Sequence, residues 1–160
     1  KKNKKKIIIH PGSFGSSCNW HPEYYAKLIK LLLYNNYQVF ITGSQEEGLR
    51  YKKTIIDACP KAINLCGRLS LEEFLYFMTK VQGLLAGSTG PLHMAAALGI
   101  CSFGLYPKKA GINAARWGPL GKNTHVIESN SPCSKFGSYC SCMDTITAEK
   151  AFKIIFSVLG

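Results

Sequence analysis

The chain has 160 residues, 20 basic and 9 acidic, and a formal net charge of +11. A hydrophobic content of 46% excludes a disordered segment, and no run reaches the roughly 18 apolar residues of a membrane helix. The positive excess suits anionic partners such as nucleotides, but five lysines in the first six residues make much of it local. No arginine-rich helix or aromatic–basic stripe argues for nucleic acid.

Residues 1–5 read as a solvated basic linker, and residues 6–160 as one domain. Three isoleucines before His10-Pro11 are too few for a signal peptide. A basic leader running directly into a strand points to a piece cut from a larger protein. Residues 6–9 form the first expected strand, apolar after Lys6, as a strand covered on both faces must be. The loop 10–17 follows, with two glycines and three serines, and is a candidate anion cradle.

Residues 22–35 read as a helix with Tyr25, Leu28, Ile29 and Leu32 on its inner face. Strand two is expected over 37–42. Gly43-Ser44 then turns into a helix over 45–58, whose Glu46 and Glu47 complement the helix dipole. A short third strand is expected over 62–65. Ser70 with Glu73 forms a capping box for the next helix, whose inner face is Phe74, Leu75 and Met78. The apolar run 83–87 is strand four.

That run leads into Ser88-Thr89-Gly90-Pro91-Leu92-His93-Met94-Ala95-Ala96-Ala97-Leu98-Gly99. Thr89 suits an N-cap, Pro91 a first helical turn, and Gly99 the position just past the end. A strand turning sharply into a helix aims free N–H groups and a positive helix end at one point, an anion site. Ser88, Thr89, Gly90 and Pro91 form that cradle, with His93 in the first turn. A well-capped core helix is the alternative reading of the same residues.

Strand five is expected over 100–105. Residues 107–121 read as loop with a short helix, 125–127 as a sixth strand, and 129–143 as irregular. The last helix is expected over 147–159, with Ala151, Ile154, Ile155 and Val158 facing in. Short connections between alternating strands and helices call for a doubly wound parallel α/β sheet of about six strands. Ligands of such sheets sit at the carboxyl ends of the strands near the switch point, which brings the loop 10–17 and the turn 88–93 together. Neither a Gly-x-Gly-x-x-Gly nor a Walker lysine motif is present.

Seven cysteines are scattered in a way that suits reduced thiols of a cytosolic protein. Cys133, Cys140 and Cys142 cluster in one loop. Their spacing lacks a fourth ligand and the paired short intervals of a structural zinc site, so no metal is expected. Whether these three pair or bind a metal stays open at this point.

Several ordered motifs then coincide: His10-Pro11-Gly12-Ser13 with Trp20, Ile41-Thr42-Gly43-Ser44 with Glu47, Asn64-Leu65-Cys66-Gly67, the 88–99 stretch, and Cys142-Met143 with Ile146-Thr147. Together they resemble the C-terminal half of glycosyltransferase family nine, the ADP-heptose:lipopolysaccharide heptosyltransferases, over nearly the whole chain. The resemblance implies the Rossmann-like, donor-binding domain of a GT-B enzyme. It implies inverting, metal-independent transfer from a nucleotide sugar, ADP-heptose, to a lipopolysaccharide core acceptor. The acceptor half and its catalytic base would lie in an N-terminal domain outside this sequence. A cytoplasmic enzyme, working at the cytoplasmic face of the inner membrane and in peripheral contact with it, is the corresponding setting. No cofactor is implied. The sequence agrees in holding only two aspartates, Asp57 and Asp144, and no Asp-x-Asp pair.

Carried over by position, Thr89, Gly90 and His93 would contact the donor pyrophosphate or heptose, and Glu47 the ribose. The loop containing His10, Gly12 and Ser13 would close over the phosphates. Two departures stand out. Many members carry Asp where this chain has Ser88, and some carry a phosphate-binding lysine where it has Cys18. Lys108, Lys109 and Arg116, in the loop after strand five, are candidates to replace that lysine. Alternatives at single positions are a strand-end role for His10, dipole capping for Glu47, and a packing role for Trp20. At the level of function they are a GT-B transferase using another nucleotide sugar, and a non-catalytic nucleotide-binding module.

Overall fold

The structure, a computed structural model, describes residues 4–13, 15, 18–133 and 139–160. Six strands form one parallel sheet: β1 (Lys6–His10), β2 (Gln38–Ile41), β3 (Ile63–Asn64), β4 (Gly83–Gly87), β5 (Cys101–Lys108) and β6 (Thr124–Pro132). Their order is β3-β2-β1-β4-β5-β6, so the chain reverses direction across the sheet between β1 and β4. Helices α1 (Pro22–Tyr34), α2 (Gln45–Arg50), α3 (Leu71–Met78), α4 (Gly90–Ala97), α5 (Ala114–Trp117) and α6 (Ala148–Leu159) connect them.

Strand period decides where the core lies. Ile7 and Ile9 pack on one face with Leu28, Ile29, Leu32 and Ile155. Ile8, between them, packs on the other with Met78, Leu84 and Leu92. Side chains of successive strand residues point to opposite faces, so an uninterrupted isoleucine run feeds both layers at once. Tyr25, Leu28, Ile29 and Leu32 are all buried along α1, as their spacing requires.

The expected helix over 45–58 is two pieces. After α2 the chain widens into a π-helical turn, Lys52–Ile56, with Ile56 N–H bonding Tyr51 O at 3.2 Å. Glu47, Tyr51 and Ile55 are buried at successive steps of four, a spacing that drifts around a 3.6-residue helix and that a wider turn brings back toward one face. β5 runs through Pro107 to Lys108, beyond its expected end, and its register with β6 shifts between Tyr106 and Lys108. An irregular ladder is where a strand tolerates a residue with no N–H to donate. β6 likewise reaches Pro132, so the segment taken as irregular from 129 starts as strand; its residues 134–138 lie outside the described residues.

Two helix faces also differ from expectation. In α6 the buried positions are Ala148, Ala151 and Ile155, while Val158 is exposed and Ile154 half-buried. In α3 only Met78 is fully buried, and Phe74 and Leu75 are half-covered. Thr89 stands at the N-cap of α4, but its side chain makes no cap bond. Ser70 and Glu73 form the expected capping box, and Ser44 and Glu47 form a second one. Gly99 has φ 75°, the left-handed conformation that ends α4 without Cβ strain.

Trp20 is a packing anchor, 1% exposed, stacked on Tyr24 and edge-on to Tyr25. Its indole N–H donates to Ile146 O at 2.8 Å and ties the first loop to the segment before α6. Trp20→Phe leaves that carbonyl unpaired in the core and should cost about 1–3 kcal/mol of folding stability, read from urea unfolding at constant m-value.

Candidate functional site

The carboxyl ends of β1, β2 and β4 surround a cleft of about 320 Å³. Its polar side comprises His10, Gly12, Ser13, Thr42, Gly43, Ser44, Glu47, Thr89 and Gly90. Its apolar side is Leu65, Leu69, Leu71, Phe74, Pro91 and Met94.

Glu47 is the only carboxylate among these lining residues and is 3% exposed. Its Oε2 accepts the Ser44 N–H at 2.9 Å, closing the capping box at the start of α2. Its Oε1 is buried with no hydrogen-bond partner among the described residues. The carboxylate lies against Gly12, where a Cβ would stand 1.8 Å from Oε1. Any side chain at residue 12 therefore displaces Glu47. That steric demand, rather than a special dihedral, explains the glycine.

His10, at the end of β1, pairs its Nδ1 with Thr42 Oγ1 at 2.9 Å and stacks on Phe74 with ring centroids 6.1 Å apart. Burial holds its pKa below the ordinary value, against a smaller upward pull from the Glu47 carboxylate. The ring is accordingly neutral at pH 7, and can donate from one nitrogen and accept at the other. Ser13 donates to Asn19 Oδ1 at 2.6 Å, which folds the loop back on itself. Phe14, Ser16 and Ser17 of that loop lie outside the described residues.

Thr89 Oγ1 is the second buried polar atom of the cleft without a partner among the described residues. It sits at the N-terminus of α4, where the helix leaves unbonded N–H groups and positive potential. A smaller cleft of about 270 Å³ opens on the β5 side of the same turn, lined by Ser88, Thr89, Gly90, His93, Ile112 and Trp117. Tyr106 O–H bonded to Trp117 O at 2.6 Å and the Trp117 indole bonded to Gly111 O at 2.9 Å hold its outer wall.

The structure thus gathers His10, Gly12, Ser13, Glu47, Thr89, Gly90 and Pro91 in the larger cleft. Ser88 and His93 fall in the smaller one, and Thr89 and Gly90 belong to both. Lys108, Lys109 and Arg116 line neither. Lys108 is exposed, Arg116 stands over the Trp117 ring at 5.6 Å, and Lys109 lies near the Cys18 and Cys140 thiols. Sequence reasoning missed Thr42 as a partner of His10, and it missed the apolar wall. Thr42-Gly43-Ser44 directly after strand two was the available signal for the first. Leu69, Leu71 and Phe74 around a helix N-cap carry none.

A family model for glycosyltransferase family 9 (heptosyltransferase) matches residues 1–146. The chain belongs to glycosyltransferase family 9. A putative glycosyltransferase of Haemophilus influenzae is 32% identical over 135 residues, 83% of this chain and 39% of that protein. The lipopolysaccharide core heptosyltransferase OpsX of the same organism is 24% identical over 158 residues, 98% of this chain and 45% of that protein. The E. coli ADP-heptose lps heptosyltransferase II structure superposes with TM-score 0.79 at 23% identity, covering 99% of this chain and 47% of that one, which shows the shared fold. The chain spans about half the length or less of these relatives. No helix among its described residues is long and apolar enough to cross a membrane.

In this family 9 chain the depressed pKa of His10 sets a pH dependence. The unfolded chain takes up a proton near the ordinary value of 6.5 while the folded one does not, so folding stability falls as pH drops below that value. His10 should titrate below 6.5 by NMR, and His10→Gln should flatten the acid side of the stability curve.

Proposed function

We propose that this chain is the donor-binding half of a heptosyltransferase, taking a nucleoside diphosphate sugar, ADP-heptose, across the N-terminus of α4. The observation that carries this reading is the pair of unpartnered buried atoms, Glu47 Oε1 and Thr89 Oγ1, on residues lining one cleft. A carboxylate just past the second strand of such a sheet is placed to accept from a ribose hydroxyl. A hydroxyl beside a helix N-terminus is placed to donate to a phosphate. The apolar wall of Leu69, Leu71 and Phe74 suits a base.

Thr89 and Gly90 border both clefts, so a diphosphate bound there sends its nucleoside into the larger and its sugar into the smaller, toward Ser88 and His93. Binding needs no divalent cation in this reading. The two aspartates are engaged elsewhere, Asp57 with Lys52 at 2.8 Å and Asp144 facing His21 at 3.5 Å. Transfer itself requires the acceptor-side domain, which supplies the base and the lipopolysaccharide core acceptor. The chain alone therefore binds donor without efficient turnover. The setting is the cytoplasm, at the inner-membrane face where such an acceptor is presented.

Titration calorimetry against ADP, UDP and GDP tests the assignment. ADP should bind best, equally with and without Mg²⁺. Preference for UDP or GDP favours a transferase using another sugar nucleotide, and absence of all binding favours a module of different function. Thr89→Val and His93→Ala should each weaken donor binding about tenfold or more, since a hydrogen bond to a charged group contributes roughly 1.5–3 kcal/mol. Gly12→Ala should lower affinity by expelling Glu47. Lys153→Ala, on the exposed side of α6, should change nothing.

A further inference from the structure

Four of the seven cysteines meet away from the cleft. Cys18 comes from the loop after β1, Cys133 from the end of β6, and Cys140 and Cys142 from the start of the 3-10 turn Ser141–Thr145. The Sγ atoms of Cys18, Cys133 and Cys140 all lie within 4.8 Å of one another. Cys133 Sγ and Cys140 Sγ are 2.6 Å apart, and Cys142 hydrogen-bonds with both of those thiols. Cys18, Cys140 and Cys142 are buried. Cys18 is the ligand that sequence spacing could not show, because it is more than a hundred residues from the other three.

We propose that Cys18, Cys133, Cys140 and Cys142 form a structural site for a single thiophilic divalent cation, zinc. Zinc–sulfur bonds of about 2.3 Å in a tetrahedron bring sulfurs to about 3.8 Å from one another, inside the 4.8 Å that bounds the Cys18, Cys133 and Cys140 sulfurs. Cys142, hydrogen-bonded to two of these, is the adjacent fourth thiol. An iron–sulfur cluster interposes irons and sulfides between its cysteines and needs them farther apart. A disulfide between Cys133 and Cys140 would use two thiols and leave Cys18 and Cys142 packed against it with nothing to bind. On metal binding the four thiols release four protons and give a zinc tetrathiolate of charge −2. The nearby Lys109 ammonium offsets part of that charge.

The site would clamp the first loop onto the segment before α6. The bridge between Asn19 and Tyr139 and the Trp20–Ile146 hydrogen bond already join these same two stretches. The metal is a folding element here, separate from donor binding.

The test uses the full 160-residue chain, purified under reducing conditions without chelator. Elemental analysis should find close to one zinc per chain. Cobalt(II) added to metal-free protein should give the intense visible bands and near-ultraviolet charge transfer of tetrahedral thiolate coordination, which requires no variant. Chelation should lower Tm, because the ion binds only the folded chain. Cys18→Ser and Cys140→Ser should abolish stoichiometric zinc, Cys142→Ser should weaken it at least tenfold, and Cys101→Ser, elsewhere in the fold, should leave it intact. Absence of both zinc and the cobalt spectrum in reduced protein would overturn the proposal, as would a Cys133–Cys140 disulfide found by mass spectrometry after purification without reductant. Unchanged affinity in Cys142→Ser would overturn the fourth ligand.

Discussion

The cleft depends on one contact, the Glu47 carboxylate pressed against Gly12. Glu47 is in the first turn of α2, and Gly12 is in the loop after β1. Their approach fixes how closely those two βα connections converge. The contact is possible because residue 12 has no side chain and because Ser44 N–H holds one carboxylate oxygen in place. A buried carboxylate oxygen without a partner is costly in a folded chain, and such a cost persists where a ligand relieves it. The same pairing of loops recurs two residues earlier in the first of them, where His10 meets Thr42. The ends of β1 and β2 are thus joined twice, through a neutral ring and through a charged group, before any ligand arrives.

The second constraint is helical phase. α4 starts at the reversal point of the sheet and buries Leu92, Ala95 and Ala96 against it. With those positions inward, His93 is turned to the β5 side, and Pro91 and Met94 face the larger cleft. One short helix therefore separates two chemical environments while its N-terminus serves both. One position before His93 is the buried Leu92 and one after is Met94 on the larger cleft, so the sequence Thr-Gly-Pro-Leu-His is readable only together with the buried stripe.

Much of the fold was legible because apolar runs of four to five residues alternate with capped helices, and that alternation leaves few topologies. The β1–β4 reversal and the convergence of the loop at 10 with the turn at 88 followed from it. What sequence could not carry was long-range phase. Nothing local marks the π-helical turn at Lys52–Ile56, which takes up the drift of buried positions spaced by four, Glu47, Tyr51 and Ile55. Val158 falls at helical spacing from Ile155 and Ile154, yet it is exposed, and it is Leu159 that packs against Gly83 at the start of β4. Lys108 is the last residue of β5 rather than a loop residue, and Arg116 lies over the Trp117 ring, so neither lines a cleft.

Position 18 links these observations. Cysteine there places a thiol against Cys133 and Cys140. The loop it belongs to is already held at Gly12 by Glu47 and at Trp20 by Ile146. An anchor between those two points restrains the described part of the loop along its length. Lys109 keeps a positive charge near position 18, although from a different strand end. No lysine or arginine is among the described residues lining either cleft, so the positive potential there comes from the α4 N-terminus, beside the unpartnered hydroxyl of Thr89.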